Sequence, residues 1–226
     1  NGDRKVTLSP LDSIKYYLRF LNTGLLSMEP NTGEIKAWVG GVSYRHSQFD
    51  RVYKAKRQPG SAFKLFVYLA GLESGIGPDT VVMDEPITLP IVGGTWTPKN
   101  YTGKYLGEIT VREAVQQSVN TVAVRVSQEA GLGHVVGVAR RLGITSDILE
   151  VPSIALGATE ATLLEMTGAY AHLANNGVIV RPYGILRIET KQGGNALYRR
   201  PPADSAVVLR GDVIGQLGNR VLAPAL

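Results

Sequence analysis

The chain has 226 residues, a formal net charge of +5 and a hydrophobic fraction of 44%. This length suits one large domain or two small ones, and the composition argues against intrinsic disorder. The chain has no cysteine, which excludes disulfide bonds, thiolate metal sites and cysteine catalysis. Its three histidines do not have the spacing of metal ligands, so we expect no metal site.

Basic residues do not form an extended patch along the chain. The longest clusters are KAKR at residues 54–57 and YRR at residues 198–200, and neither lies in a run of interleaved aromatic residues. We interpret them as an ordinary solvated surface, with nucleic acid as a weak alternative partner. The sequence contains no signal peptide or membrane span, and its start resembles the middle of a chain.

The first part of the chain predicts a linker followed by a hairpin. Residues 1–23 are polar and then weakly amphipathic, which favours a linker with room for a short helix. In GLLSMEPNTGEIKAWVGG, two strand-like runs flank a Pro-Asn-Thr-Gly turn. A hairpin is therefore expected over residues 24–41.

Helices fill the middle of the chain and strands return near its end. Helices are predicted at 61–75, 111–117, 121–130 and 132–144, and at 159–176 with Thr159 as the N-cap and Asn176-Gly177 as the stop. Residues 76–107 form an irregular stretch with short strands, and residues 184–200 form a second hairpin. This order predicts a mixed α/β fold in which a helical body is inserted into a sheet whose strands come from both ends of the chain.

The stretch RQPGSAFKLFVYLAGLESG contains the first candidate site residues. Pro59-Gly60 places Ser61 in the first turn of the helix, and Lys64 lies three residues later on the same face. The residues that follow are apolar on every side, which is typical of a central helix. Burial should lower the pKa of Lys64, so that it can accept the proton of Ser61. The structural alternative is a serine N-cap beside a lysine that reaches solvent.

The stretch QQSVNTV supplies two more candidates. Ser118 and Asn120 lie at a polar break between two helical segments. A second hydroxyl and a nearby amide are what proton relay and binding of a substrate amide require, although both residue types are common in loops. Ser-x-x-Lys and Ser-x-Asn together belong to the motif set of penicillin-binding proteins and β-lactamases.

Four longer stretches carry a more specific resemblance. They are MEPNTGEIKAWVGG, FDRVYKAKRQPGSAFK, TPKNYTGKYLGEITVREAVQQSVNTVAVRV and PSIALGATEATLLEMTGAYAHLANNG. Over residues 24–187 the chain resembles the transpeptidase domain of class A (bifunctional) penicillin-binding proteins. The resemblance implies the fold shared with serine β-lactamases, an antiparallel sheet with a helical subdomain. It also implies that residues 1–23 are a linker from an upstream glycosyltransferase domain and that residues 24–226 are the transpeptidase domain.

The resemblance further implies a role for each candidate residue. Ser61 would be the acylated nucleophile, Lys64 its general base, Ser118 the relay of a proton to the leaving amine, and Asn120 the residue that binds the amide of the donor peptide. The implied activity is a D-Ala-D-Ala transpeptidase that crosslinks peptidoglycan stem peptides through an acyl-enzyme. β-Lactam antibiotics would acylate the same serine, without any metal or organic cofactor. The implied location is extracytoplasmic, with a membrane anchor N-terminal to this chain.

One element of the family pattern has no match. The family has a Lys-Thr-Gly motif, or a close relative, on a strand beside the site, and the chain contains no Lys-Ser-Gly or Lys-Thr-Gly. The nearest match, KQG at residues 191–193, is interpreted as a hairpin turn. The pattern would place the motif beyond Leu226, so we expect the C-terminal strands to be missing. We therefore expect the 226-residue unit by itself to acylate slowly or not at all.

Two other functions are alternatives to the transpeptidase. A class A β-lactamase would need a glutamate followed four residues later by asparagine, and Glu160 and Glu165 lack that partner. A non-catalytic sensor or scaffold module that binds β-lactams or peptidoglycan is the alternative from another class. A reading frame that continues into Lys-Thr-Gly would favour the enzyme, and a stop codon at Leu226 would favour the module.

Overall fold

A computed structural model describes residues 5–190 and 196–200. The α-helices are α1 (Pro10–Leu18), α2 (Lys64–Glu73), α3 (Val111–Gln116), α4 (Asn120–Ala130), α5 (Leu132–Arg141) and α6 (Leu163–Ala174). The strands are β1 (Leu25–Met28), β2 (Ile35–Val39), β3 (Lys56–Arg57), β4 (Val81–Asp84), β5 (Leu89–Ile91), β6 (Gly94–Trp96), β7 (Gly107–Thr110), β8 (Ala161–Thr162), β9 (Arg187–Glu189) and β10 (Ala196–Arg199). Two short 3₁₀ helices span Gly60–Phe63 and Pro152–Leu156.

The helix α2 forms the centre of the hydrophobic core. Phe66, Val67 and Ala70 are completely buried, and Leu69 is 1% exposed. The helix packs against α4 and α5, which contribute buried valines and alanines to the same core. Its apolar character on every side therefore follows from its central position, as the sequence predicts.

Each sheet among the described residues has two strands, and these strands are antiparallel. The pairs are β1–β2, β3–β8, β4–β7, β5–β6 and β9–β10. The N-terminal hairpin packs against α6. It also meets the C-terminal part of the chain, at an isolated bridge between Glu34 and Tyr183 and through Arg200, which donates to the carbonyl of Thr32 at 3.2 Å. The mixed α/β class is confirmed. In the described part of the chain, however, strands from the two ends of the sequence form separate pairs and not one sheet.

Most predicted elements are present close to their expected bounds. The hairpin at 24–41, the helices after residues 61, 111, 120 and 131, and the second hairpin are all formed. The predicted N-cap of the last helix is wrong. Thr162, not Thr159, caps α6, because Thr162 and Glu165 form a capping box there. The hydroxyl of Thr159 instead donates to the carbonyl of Asp147 at 3.3 Å.

The turn predicted at residues 191–193 and everything after residue 200 lie outside the described residues. The helix α1 lies within the predicted linker and has no buried residue. No helix in the described part of the chain is long and apolar enough to cross a membrane.

Candidate active site

Ser61 lies in a short 3₁₀ turn that leads directly into α2. The preceding strand β3 pairs with β8, which ties the entry of this turn to the start of α6. The backbone of Gly60, at φ +56°, approaches Gly157 so closely that a Cβ on Gly157 would lie 2.2 Å from the Gly60 carbonyl oxygen. From α6, the hydroxyl of Tyr170 donates to the carbonyl of Ala62 at 3.0 Å. Contacts on both sides of Ser61 therefore fix its turn, while Ser61 itself remains exposed.

Lys64 is the first residue of α2 and is only 5% exposed. Its Nζ donates to the carbonyl oxygen of Ser118 at 2.6 Å, to the Ser118 hydroxyl at 3.0 Å and to the Asn120 amide oxygen at 2.7 Å. An ammonium group has three donors, so these three acceptors satisfy it completely. In the described part of the chain, no hydrogen bond joins Nζ to Ser61.

Burial lowers the pKa of Lys64 from its usual 10.5 to about 8. Desolvation disfavours the charged ammonium, whereas the three acceptors favour it, and desolvation dominates. A base with this pKa is partly neutral near physiological pH and can accept a proton there. The expected lowering of the Lys64 pKa is confirmed, and the alternative of a lysine reaching solvent is wrong.

Ser118 connects α3 to α4 in a backbone conformation that is unusual for serine. Its φ is +53°, in the left-handed region, which costs a non-glycine residue on the order of 1 kcal/mol. In this conformation both its carbonyl and its hydroxyl oxygen accept from Lys64. The side chain remains exposed, so the hydroxyl contacts the buried amine on one side and solvent on the other.

Asn120 begins α4, and both ends of its side-chain amide are bonded. The oxygen accepts from Lys64, and Nδ2 donates to the carbonyl of Lys99 at 2.8 Å. The two bonds together fix which way the amide faces, because only the nitrogen can donate and only the oxygen can accept.

Ser61, Lys64 and Ser118 line one cavity of about 430 Å³. Much of the rest of its wall is apolar, from α2, α3 and α6, with Arg112 and Gln116 at the α3 side. Asn120 reaches this group through Lys64. The structure therefore brings the four predicted site residues together from segments more than fifty positions apart.

The sequence did not predict the residues that support this site from behind. Asn100 and Asp84 form a buried polar cluster with Thr121 at the start of α4. Asn100 lies in the stretch TPKNY, which contributed to the resemblance, but nothing in that stretch distinguishes a buried asparagine from a loop residue. The described residues contain no group of three or more histidine, aspartate or glutamate side chains that could hold a metal ion.

The family model for the penicillin binding protein transpeptidase domain matches residues 23–214 of this chain. The chain belongs to the penicillin-binding protein transpeptidase domain family. A related sequence is penicillin-binding protein 1A of Rickettsia felis, which is 45% identical over 182 residues. That alignment covers 80% of this chain and 23% of the relative, so the chain spans about a quarter of the length of such relatives.

Solved structures of penicillin-binding proteins have the same fold. Penicillin-binding protein 1A from Haemophilus influenzae superposes with a TM-score of 0.77 at 35% identity, covering 81% of this chain and 28% of that chain. The PonA1 protein from Mycobacterium tuberculosis in complex with penicillin V superposes with a TM-score of 0.69 at 26% identity, covering 84% of this chain and 54% of that chain. These matches confirm the fold that the resemblance implied.

Proposed function

We propose that this chain carries the acyl-transfer site of a peptidoglycan D-Ala-D-Ala transpeptidase of the serine type. The observation that carries the proposal is the environment of Lys64. A buried amine with a pKa of about 8 lies between Ser118 and Asn120, in the cavity that Ser61 also lines. A desolvated group with a perturbed pKa, placed in a cavity beside specific partners, is characteristic of a functional site.

In the first half-reaction, the Ser61 oxygen attacks the carbonyl carbon of the D-Ala-D-Ala amide. The neutral amine of Lys64 accepts the hydroxyl proton, and the carbonyl becomes a tetrahedral oxyanion. Ser61 lies at the N-terminal end of α2, where the helix dipole favours the negative charge of that oxyanion. Collapse of the intermediate breaks the amide bond, and Ser118 passes the proton to the departing D-alanine nitrogen. The ester on Ser61 is the acyl-enzyme.

In the second half-reaction, an amine from a neighbouring stem peptide attacks the ester carbonyl. Its proton returns through the Ser118 hydroxyl and Lys64 to the oxygen of Ser61, which leaves as the free serine. The product is a new amide that crosslinks two stems. The Asn120 amide, fixed by Lys99, would bind the backbone amide of the donor peptide next to the scissile bond.

The proposed substrates and surroundings come from the family. They are peptidoglycan stem peptides as substrates, β-lactams as acylating inhibitors, and an extracytoplasmic location in a membrane-anchored parent protein with an upstream glycosyltransferase domain. No step in the reaction above needs a metal or an organic cofactor.

Intact-mass spectrometry after treatment with benzylpenicillin tests the proposal in the natural protein that contains this chain. The expected result is one covalent adduct on Ser61, absent from Ser61→Ala and retained in Ser74→Ala, which removes an exposed serine at the other end of α2. An adduct that survives Ser61→Ala would overturn the assignment of the nucleophile. The absence of any adduct in the wild type would overturn the proposal.

A further inference from the structure

A buried polar cluster lies directly behind the proposed active site. Asp84 at the end of β4 and Thr121 in α4 have no exposed surface, and Asn100 is 9% exposed. Polar groups at such depth are costly unless each is hydrogen-bonded. These groups are bonded to one another and to the first residues of α4.

Asp84 fixes which way the amide of Asn100 faces. Asn100 Nδ2 donates to the Asp84 carboxylate at 2.8 Å and to the carbonyl of Lys104 at 3.0 Å. The same carboxylate accepts from the hydroxyl of Thr121 and, at 2.8 Å, from the backbone N–H of Leu106. With its nitrogen committed to two acceptors, the amide oxygen of Asn100 must face α4.

That oxygen caps α4 from outside the helix. It accepts from the backbone N–H of Asn120 at 2.9 Å and from that of Thr121 at 3.3 Å. The residue at the N-cap position is Val119, which has no side-chain acceptor. A helix start needs acceptors for its first N–H groups, and here a loop twenty positions away supplies one.

Asn120 is therefore held twice by the same short segment. Its main chain donates to the side chain of Asn100, and its side chain donates to the carbonyl of Lys99. The amide oxygen of Asn120 in turn accepts from Lys64 at 2.7 Å. An unbroken series of contacts leads from Asp84 through Asn100 and Asn120 to the proposed base.

We propose that Asn100, oriented by Asp84, is a positioning residue that sets the Ser118–Asn120 segment and, through Asn120, the amine of Lys64. The consequence of this positioning role for catalysis rests on the proposed function, whereas the effect of Asn100 on the Lys64 amine does not. A cluster with only a structural role would stabilise the domain without changing the pH at which the Lys64 amine becomes reactive.

The test follows the Lys64 amine itself in the natural protein that contains this chain. Trace labelling with acetic anhydride across a range of pH, read by peptide mass spectrometry, gives the pH midpoint at which Lys64 becomes reactive. Lys36, whose side chain is 50% exposed, is the internal reference. The variants are Asn100→Ala, Asn120→Ala and their combination.

The matched control is Ser127→Ala. Ser127 is also buried on α4, but its hydroxyl donates only to the carbonyl of Val124 within the helix. Thermal unfolding of each variant reports the loss of stability separately from the behaviour of Lys64. If Asn100→Ala does not fold, Thr121→Val replaces it, because this change removes one donor from Asp84 with a side chain of nearly the same shape.

We expect Asn100→Ala to move the Lys64 midpoint in the same direction as Asn120→Ala, with no further change in the double variant. Non-additivity is expected because the two residues act in series. The Ser127→Ala midpoint should equal that of the wild type. Thr121→Val should give a smaller shift of the same sign. An unchanged midpoint in Asn100→Ala, additive shifts in the double variant, or no shift in Asn120→Ala would each overturn the proposal.

A second measurement uses acylation by benzylpenicillin. In Asn100→Ala the rate constant for acylation should fall about 10- to 100-fold, as expected for a misplaced catalytic group, with a smaller change in the binding constant. A fall confined to binding would contradict the positioning role. Failure of the proposed function has a different signature, since the wild-type adduct would then be absent or would survive Ser61→Ala, while the Lys64 midpoints remain measurable.

Discussion

The amide oxygen of Asn120 accepts a hydrogen bond of 2.7 Å from the amine of Lys64, across 56 positions of sequence. This bond joins the first residue of α2 to the first residue of α4, and those two helices form the centre of the core. The packing of two helices therefore decides the surroundings of the proposed base. The chemistry and the stability of this domain are consequently linked.

The rate of acylation should depend on the protonation of Lys64. Since only the neutral amine accepts a proton, the rate should rise with pH and level off above the Lys64 pKa of about 8. For a single group of that pKa, the rise from pH 7 to pH 8 is about fivefold. Stopped-flow acylation by a fluorescent penicillin over pH 6 to 10 measures it. A flat profile across this range would contradict the role of Lys64 as the base.

Asn120→Asp should move that profile to higher pH. A carboxylate in contact with the ammonium favours the charged form and raises the pKa of Lys64. Less neutral amine is then present at pH 7, so acylation there should fall by at least about tenfold for a pKa shift of one unit or more. Asn31→Asp makes the same change of charge at an exposed turn residue and should leave the profile unchanged. An unshifted midpoint in Asn120→Asp would argue against direct contact in solution.

Gly157→Ala should disturb the turn that holds Ser61. A Cβ there would lie 2.2 Å from the carbonyl oxygen of Gly60, and the φ of +72° is unfavourable for alanine. We expect a loss of at least about 2 kcal/mol in the free energy of unfolding, together with slower acylation.

The matched control for that variant is Gly137→Ala, within α5. Apart from its chain neighbours and the nearby backbone of α5, a Cβ at Gly137 would meet no atom of the described residues within 4 Å, and alanine is the better helix former. This variant should be neutral or more stable by up to about 1 kcal/mol. Urea unfolding measures both variants. Equal free energies of unfolding for Gly157→Ala and Gly137→Ala would mean that Gly60 and Gly157 lie farther apart in solution than in the structure.

Glu165→Gln should lower stability at neutral pH and make it less dependent on pH in the acid range. Burial by itself would raise the pKa of this carboxylate, but donors from Thr162, Thr145 and Ser146 lower it to about 2 from its ordinary value near 4.5. Because the folded pKa is the lower one, its contribution to stability is complete above about pH 4.5 and is lost as pH falls towards 2. At pH 7 the variant should lose about 1–3 kcal/mol of unfolding free energy.

Glu113→Gln is the matched control for Glu165→Gln. Glu113 forms the same kind of capping box with Thr110 at α3, but it is exposed, and the described hydrogen bonds to its carboxylate come only from Thr110. Glu113→Gln should lower the free energy of unfolding by less than Glu165→Gln does. It should also barely change how stability depends on pH between pH 5 and pH 2. Thermal unfolding at several pH values separates the two variants, and equal losses would contradict the role of the contacts between Glu165 and residues 145–146.

Local sequence was enough to place most elements. The apolar run after Lys64 predicted a central helix, and the stop at Asn176-Gly177 predicted the end of α6 to within two residues. The start of α6 was placed three residues too early. Thr162 is followed three residues later by Glu165, the capping-box spacing, and Thr159 is not, so a local signal for Thr162 was present in the sequence. Pairing of β8 with β3 and the hydrogen bonds from residues 145–146 to Glu165 reinforce that choice.

The sequence alone determined which residues could do the chemistry, because hydroxyl, amine and amide groups and their short spacings are local properties. The tertiary structure decided how those groups meet. Lys64 makes its hydrogen bonds to Ser118 and Asn120, and a buried asparagine at position 100 fixes Asn120. Such contacts depend on the close packing of α2, α4 and the loop before β7. Packing between distant segments has no local periodicity in the chain, so only the folded molecule reveals it.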